Sequence, residues 1–278
     1  MSLNETPLRI STKVITANMG TQISLKKLFE SISQIMIPLW YPGEGVLKME
    51  HEKEILGLCT RDAFSKRTIS DKTFFNQSTI VIRKIINKET LEFKEVNIKL
   101  FGNGGIQMTG IPYEDFAKAT IEWLIQEFKR IRTKDGTSLF VEEPILQKFK
   151  VQLINSDYQV GYGINRNALH TILSRKYGLF STFESTIYQG VNSKYYYNKQ
   201  HPDSTRPGIC LCDRRCRGQG TGDGPGECKK ITMSVFQTGK IIITGAREYP
   251  QLDEAYRFLN RVLVDNAKDI LRIKESAE

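Results

Sequence analysis

The chain has 278 residues, and its 40% hydrophobic and 26% charged residues are ordinary for one large or two smaller folded domains. Forty Lys and Arg against thirty-one Asp and Glu leave a net charge of +9, which favours a polyanionic partner such as nucleic acid. No signal-peptide pattern or membrane-length apolar run is visible, so we expect a nuclear or cytoplasmic protein with reduced cysteines and no membrane partner.

The first elements of the chain are a strand and a helix. Residues 9–17 alternate as a strand does, and Ser24 is placed to cap the helix that follows. Residues 38–72 come next with mixed charge and Cys59, and we expect them to form an added surface element. A further strand is predicted over residues 78–86.

A hairpin and a long helix follow. Residues 101–110 have the pattern Phe-x-x-Gly-x-x-x-x-Thr-Gly, which predicts the turn and second strand of a β-hairpin. Pro112 suits the first turn of a helix, and the apolar stripe predicted for that helix contains Phe116, Ala119, Trp123, Leu124 and Phe128. Residues 133–148 are predicted to be a linker.

The second part of the chain repeats this order. A strand at 149–156, a helix near 168–173 and a strand at 185–191 precede the same Phe-x-x-Gly-x-x-x-x-Thr-Gly pattern at 236–245. A helix with a matching apolar stripe follows Pro250. We therefore predict an α+β fold of two tandem pseudo-symmetric repeats, with antiparallel strands and helices on one face. The predicted domains are residues 1–132, with the insert at 38–72, and residues 149–278, with an insert at 198–230.

The second hairpin, residues 235–247, closely resembles the signature of the TATA-box-binding protein family, and the first is a degraded copy in which Gly105 replaces the usual lysine. The divergence and the inserts resemble the forms of this family found in large nucleocytoplasmic DNA viruses. The resemblance implies a saddle, with a curved sheet of about ten strands and helices on its convex face. It also implies that the concave face lies in the minor groove of DNA.

The resemblance implies phenylalanines that wedge between base steps and kink the duplex. Phe101 and Phe236 match the family's wedges before the hairpin turns, and Phe183 matches the partner of Phe236. In the first repeat the nearest partner is Phe75, although Asn76 is an alternative. The competing interpretation is that these rings are ordinary core residues.

The resemblance also predicts a saddle floor that is mostly apolar, with a few hydrogen-bonding groups at its centre. The predicted floor contacts are Thr12, Val14, Thr109, Asn155 and Thr244. The family's two central asparagines fall on Thr12 and Leu153, so the base preference is open, and Asn155 is the candidate substitute because it shares a strand face with Leu153. Ordinary strand filling is the alternative for these positions. The predicted phosphate contacts are Arg83, Lys240 and Arg247.

The insert at residues 198–230 holds four of the five cysteines, namely Cys210, Cys212, Cys216 and Cys228. Four clustered cysteines in a reducing compartment predict a tetrahedral thiolate site, for which zinc is the default metal. Two disulfides, or free thiols in a loop, are the alternatives. The spacing is not a common zinc pattern.

The predicted partners are A·T-rich double-stranded DNA and a transcription initiation factor or RNA polymerase subunit, with the protein a monomer on DNA. In a virus, the protein would act in the host nucleus or in a viral factory. In the family, acidic residues precede the wedge that corresponds to Phe183. They are absent from this sequence, which favours a dedicated protein partner. The main alternative is a saddle-shaped protein-interaction module with weakened DNA binding. The second alternative is an accessory domain of a nucleic-acid enzyme. The scattered histidines match no catalytic motif, so we expect the protein not to be an enzyme.

Overall fold

The computed structural model describes residues 5–64, 76–200, 205–212, 216, 218–223 and 228–272. Within these residues, no helix is both long and apolar enough to cross a bilayer. The chain divides into two compact units, which we call the first half (residues 12–151) and the second half (residues 1–11 with 152–278). The first strand, Arg9–Asn18, crosses this boundary, so its first three residues belong to the second half.

The first half is an antiparallel sheet with helices. Its strands are β1 (Arg9–Asn18), β2 (Gly45–His51), β3 (Glu54–Gly57), β4 (Gln77–Asn87), β5 (Glu92–Phe101) and β6 (Gly105–Ile111). They lie in the order β3-β2-β4-β5-β6-β1. Its helices are α1 (Leu25–Ser31), which continues as a 3-10 turn (Ile32–Ile35), α2 (Thr60–Phe64) and α3 (Glu114–Arg130). Ser24 caps α1 as expected, because its side chain accepts a hydrogen bond from the Lys27 amide.

The second half repeats the plan with fewer strands. It contains most of β7 (Gln147–Gln159), then β8 (Phe180–Glu184), β9 (Tyr188–Tyr197), β10 (Lys229–Val235) and β11 (Lys240–Ala246). Their order is β7-β11-β10-β9-β8. Its helices are α4 (Arg166–Thr171), which continues as a π-helical turn (Ile172–Lys176), α5 (Tyr249–Asp265) and α6 (Ala267–Ile270). The predicted α+β fold of tandem antiparallel repeats is confirmed.

Alternation along the strands gives each half a buried face and an open face. In β5, Val96, Ile98 and Leu100 are fully buried against the helices, while Asn97 and Lys99 point the other way. In α3 the buried side contains Phe116, Ala117, Ile121, Leu124, Ile125 and Phe128. The predicted stripe was wrong at Ala119, which is exposed because it lies on the opposite side of the helix.

The segment expected to be a surface element is partly core. Within residues 38–72, β2 pairs with β4 along its length, and Val46, Leu47 and Met49 are completely buried. The surface expectation was wrong for this strand because both of its faces are covered, which removes the alternation that would reveal a strand. β3 adds an exposed edge strand beside it.

Candidate nucleic-acid interface

The centre of the open face in the second half is a polar pair between two predicted floor residues. Asn155 in β7 lies directly opposite Thr244 in β11, and the Thr244 hydroxyl donates to the side-chain oxygen of Asn155. Their strand neighbours Ile154 and Ile243 are buried on the other face, so this pair points away from the core. Leu153 and Ile242 give the surrounding surface its apolar character.

A tight turn holds Phe236 at the end of the same face. Gly239 has φ +83°, and a β-carbon there would collide with the carbonyl oxygens of Val160 and Tyr162, so the turn requires glycine. The Phe236 amide donates to the Lys240 carbonyl at 2.9 Å, which closes the hairpin. The half-buried Phe236 ring packs edge-on against Tyr188 with 5.7 Å between centroids. The ring is therefore fixed rather than loosely tethered, as a wedge must be.

Arg166, at the start of α4, links the two wedge candidates of the second half. Its guanidinium lies 4.9 Å from the centroid of the Phe183 ring and donates to the Gln237 side chain at 2.8 Å, next to Phe236. Phe183 sits at an irregularity of the β8–β9 pairing, between Thr182 and Glu184. The contact of Arg166 with Phe183 and Gln237 does not follow from sequence spacing. Arg166 was not among the predicted site residues.

The cations of the second half differ in availability. Lys240 is exposed on β11. Arg247 instead forms an ion pair with Asp223 of the insert, with one contact at 3.2 Å and a second that is shorter. Lys194 and Lys230 also lie on the open face, and burial together with the Lys230 charge lowers the pKa of Lys194. Sequence reasoning missed these two lysines, although alternation along β9 and β10 could have found them.

In the first half, the predicted floor residues also lie on the open face. Thr12 and Val14 are half-exposed on β1, and Thr109 lies opposite Asn97 between β6 and β5. Phe101 is half-buried at the end of β5, before a turn in which Gly104 has φ +82°. Phe75 lies outside the described residues.

A chain segment covers the outer part of this first-half face. The segment, residues 58–64, contains α2, whose first amide donates to the Glu95 carboxylate at 3.1 Å. The ammonium of Lys48 is 2.9 Å from Asp62 and 2.7 Å from Glu50, and Lys48 is only 5% exposed. Burial alone would raise the pKa of Asp62, but hydrogen bonds from Cys59 and Lys48 lower it to about 2.

The covered face leaves a polar cleft between this segment and the sheet, and the cleft reaches Thr109. The predicted phosphate ligand Arg83 is also engaged nearby. Its guanidinium donates to the carbonyls of Leu39 at 2.6 Å and Tyr41 at 2.5 Å. A phosphate would have to compete with these carbonyls for Arg83.

The four cysteines of the second insert converge. The sulfur atoms of Cys210, Cys212, Cys216 and Cys228 all lie within 4.8 Å of one another. No two of them are bonded, and three of the separations are 3.6, 3.7 and 3.8 Å. A disulfide needs about 2.05 Å, so the structure does not favour the alternative of two disulfides. The cluster can hold a metal ion, as the sequence predicted.

Two tandem strand–helix repeats, each with an open sheet face, define the class of protein to which this chain is similar. The family model for transcription factor TFIID, or TATA-binding protein, matches residues 226–265. A curated relative, the TATA-box-binding protein-like protein of Acanthamoeba polyphaga mimivirus, is 29% identical over 277 residues. That match covers 94% of this chain but only 66% of the relative's length.

Among solved structures, the chain is similar to the TBP of Methanococcus jannaschii, with 16% identity and a TM-score of 0.48. This match covers 94% of the chain and 99% of the archaeal protein. The family model and the viral relative confirm the resemblance to the TATA-box-binding protein family.

Proposed function

We propose that this protein is a transcription initiation factor that binds A·T-rich promoter DNA in the minor groove and bends it. The observation that carries the proposal is the composition of one open face in the second half. There the Asn155–Thr244 pair, the fixed ring of Phe236 and the exposed ammonium of Lys240 lie on neighbouring strands. The resemblance to TATA-box-binding proteins agrees with this use of the face.

The chemistry of this face suits the minor groove. At A·T pairs the groove shows only acceptor atoms, which the Asn155 amide nitrogen can meet as a donor. The Thr244 hydroxyl orients that amide by donating to its oxygen. Leu153 and Ile242 add apolar surface against the groove walls. The extra amino group of a G·C pair would need an acceptor and more room, so the proposed preference is for A·T-rich sequence.

The wedges supply the bend. Phe183 and Phe236 would each enter a base step, partly unstack it and kink the duplex toward the major groove. Bending of this kind costs up to about 10 kcal/mol, which the floor and phosphate contacts must offset. Phe101, and Phe75 outside the described residues, are proposed for the same role in the first half. The floor there is Thr12, Val14 and Thr109.

Phosphate contacts complete the proposal. Lys240 would neutralise one phosphate, and each such contact makes binding more sensitive to salt. Arg83 and Arg247 are the other proposed contacts, and both have protein partners to exchange first.

The remaining partners follow from the function. We propose that the monomer recruits an initiation factor or a polymerase subunit through its helices, and that it acts in the nucleus or, for a virus, in a cytoplasmic factory. No catalytic step is part of this proposal. The metal proposed for the cysteine cluster is zinc.

The test is fluorescence energy transfer between the ends of a short A·T-rich duplex, titrated with protein at two salt concentrations. Wild type is expected to shorten the end-to-end distance, and a Phe183→Ala/Phe236→Ala variant is expected to bind weakly without shortening it. Tyr249→Ala, which removes an exposed ring at the start of α5, is the matched control and should behave as wild type.

Equal binding to A·T-rich and G·C-rich duplexes with no change in distance would overturn the proposal. Net charge alone would then explain the binding. The alternative of a protein-interaction module would gain support if wild type bound neither duplex.

A further inference from the structure

The cysteine insert is tied to the ends of two strands. The Tyr196 amide donates to the Gly208 carbonyl at 2.9 Å, and the Lys230 amide donates to the Gly220 carbonyl at 2.8 Å. The Tyr196 hydroxyl also donates to the Gly218 carbonyl at 2.9 Å. The described parts of the insert therefore pair with the last residues of β9 and the first residues of β10, and the four cysteines lie together at that end of the two strands.

We propose that these four thiolates bind one Zn²⁺ ion and that the closed insert neutralises Arg247. A zinc–sulfur bond of about 2.3 Å in a tetrahedral site places sulfur atoms about 3.8 Å apart. The separations of Cys210, Cys216 and Cys228 are 3.6 to 3.8 Å and match that edge. Sulfur donors select zinc or iron over the hard cations, and a closed site of four cysteines is typical of structural zinc.

The fourth ligand is oriented by the backbone. The Cys228 amide donates to the Cys212 sulfur at 3.1 Å, the kind of outer hydrogen bond that holds a ligand in position. Cys216 and Cys228 are buried, with 2% and 0% exposure, so water does not compete freely for the centre. Four mutually close, largely buried thiols would gain little from packing alone, whereas one metal ion would use every one of them.

The closed insert acts on a neighbouring charge. Asp223 lies between Cys216 and Cys228 in sequence, so a metal that fixes both cysteines also fixes the loop carrying Asp223. Its carboxylate contacts both terminal nitrogens of Arg247, whose side chain is only 18% exposed. The Arg247 backbone amide is held by Gln251 at 2.9 Å. The insert therefore neutralises Arg247, a proposed phosphate ligand, by pairing it with Asp223. The significance of this pairing for phosphate contact rests on the proposed DNA binding.

The metal is tested first, without DNA. Protein purified under reducing conditions with zinc present should contain one zinc per chain by elemental analysis. Cobalt substitution should give the intense visible bands of a tetrahedral thiolate centre. Cys216→Ser should lose both signals, and Cys59→Ser, which removes the cysteine outside the cluster, should keep both. Absence of metal, iron in place of zinc, or equal loss in both variants would overturn the site.

The coupling of the insert to Arg247 is also testable without DNA. Asp223→Asn and Arg247→Gln should have non-additive effects on the melting temperature of zinc-loaded protein. The non-additivity should vanish in the Cys216→Ser background. Additive effects in the zinc-loaded protein, or unchanged coupling in the Cys216→Ser background, would overturn the link between metal and pair.

The consequence for DNA is measured by salt dependence. Asp223→Asn should free one cation, steepen the slope of log affinity against log salt by about 0.9, and raise affinity at low salt by about three- to tenfold. Asp253→Asn, which breaks an exposed helical pair with Arg257, should leave the slope unchanged. An unchanged slope for Asp223→Asn would overturn the masking of Arg247. If wild type bound no DNA, the proposed function would fail while the metal and melting results would still decide the site.

Discussion

The two halves share a repeat but differ in where their inserts lie. In the first half, the segment 58–64 covers part of the open sheet face and ties down Glu95, and the neighbouring loop engages Arg83. In the second half, the insert lies at the end of β9 and β10 and leaves the Asn155–Thr244 pair on an open face. An insert at a strand end preserves a binding face, whereas an insert over the face changes what that face can bind. We therefore expect the second half to contribute more to DNA binding.

The largest effect should come from the wedges. Phe236→Ala should lower DNA affinity by about ten- to a hundredfold and reduce the bend, because partial unstacking at a base step depends on a rigid apolar ring. Phe101→Ala, the matched change in the first half, should cost less than about threefold. Energy transfer and equilibrium titration on the same duplex measure both. Equal losses of affinity in the two variants would show that both halves contribute equally to DNA binding.

The covering segment should matter mainly for stability. Asp62→Ala should destabilise the first half by about 1–3 kcal/mol, because it removes one of the two carboxylates that compensate the buried ammonium of Lys48. Asp115→Ala, which loses only an exposed contact to Lys118 at 3.8 Å, should cost less than about 0.5 kcal/mol. Urea unfolding of both variants provides the comparison. A smaller loss for Asp62→Ala than for Asp115→Ala would show that the segment is not anchored as described.

The same anchor should respond to acid. Because the pKa of Asp62 is about 2 when folded and 3.8 ordinarily, its contribution is complete above about pH 4 and is lost as pH falls through 2. Pepsin cleavage near Phe64, normalised to an unstructured peptide, should therefore rise between pH 4 and pH 2. Asp62→Asn should already be cleaved rapidly at pH 4. Identical profiles for the two proteins would exclude Asp62 as the acid-sensitive anchor.

The smallest effect should appear in base preference. Thr244→Val should reduce the preference for A·T-rich over G·C-rich duplex by about three- to tenfold, since the hydroxyl that orients the Asn155 amide donor is lost. Thr109→Val should change the preference less, because Thr109 borders the cleft under the covering segment. Competition titrations with both duplexes measure the ratio. A larger change for Thr109→Val would show that the first half determines the base preference.

Local patterns in the sequence predicted the fold well. The hairpins were found because Gly104 and Gly239 are required by the close approach of other backbone segments, and such glycines leave a fixed pattern. The pairing of Asn155 with Thr244 placed two predicted floor residues together. The strand β2 was missed because burial on both faces hides its alternation.

The partners of the predicted cations could not be predicted. Arg247 meets Asp223, and Arg83 meets the carbonyl of Leu39, only after the chain has folded. Sequence spacing carries no information about such contacts, because an insert can reach any neighbouring strand end. The convergence of four cysteines was predictable from their clustering, but the separations that favour a metal over disulfides were not.

The strand β1 has a consequence for how this protein can be divided. Arg9 forms a bidentate ion pair with Asp157, and the Thr6 amide donates to the Gln159 carbonyl, so the N-terminal segment completes the second half. Cutting the chain at the predicted linker would therefore yield a second-half fragment that lacks the contacts of residues 5–11 with β7. An independently folding second half is expected only from a permuted chain, in which residues 5–11 are rejoined after residue 272. The two repeats are consequently interlocked in sequence and cannot be exchanged as separate modules.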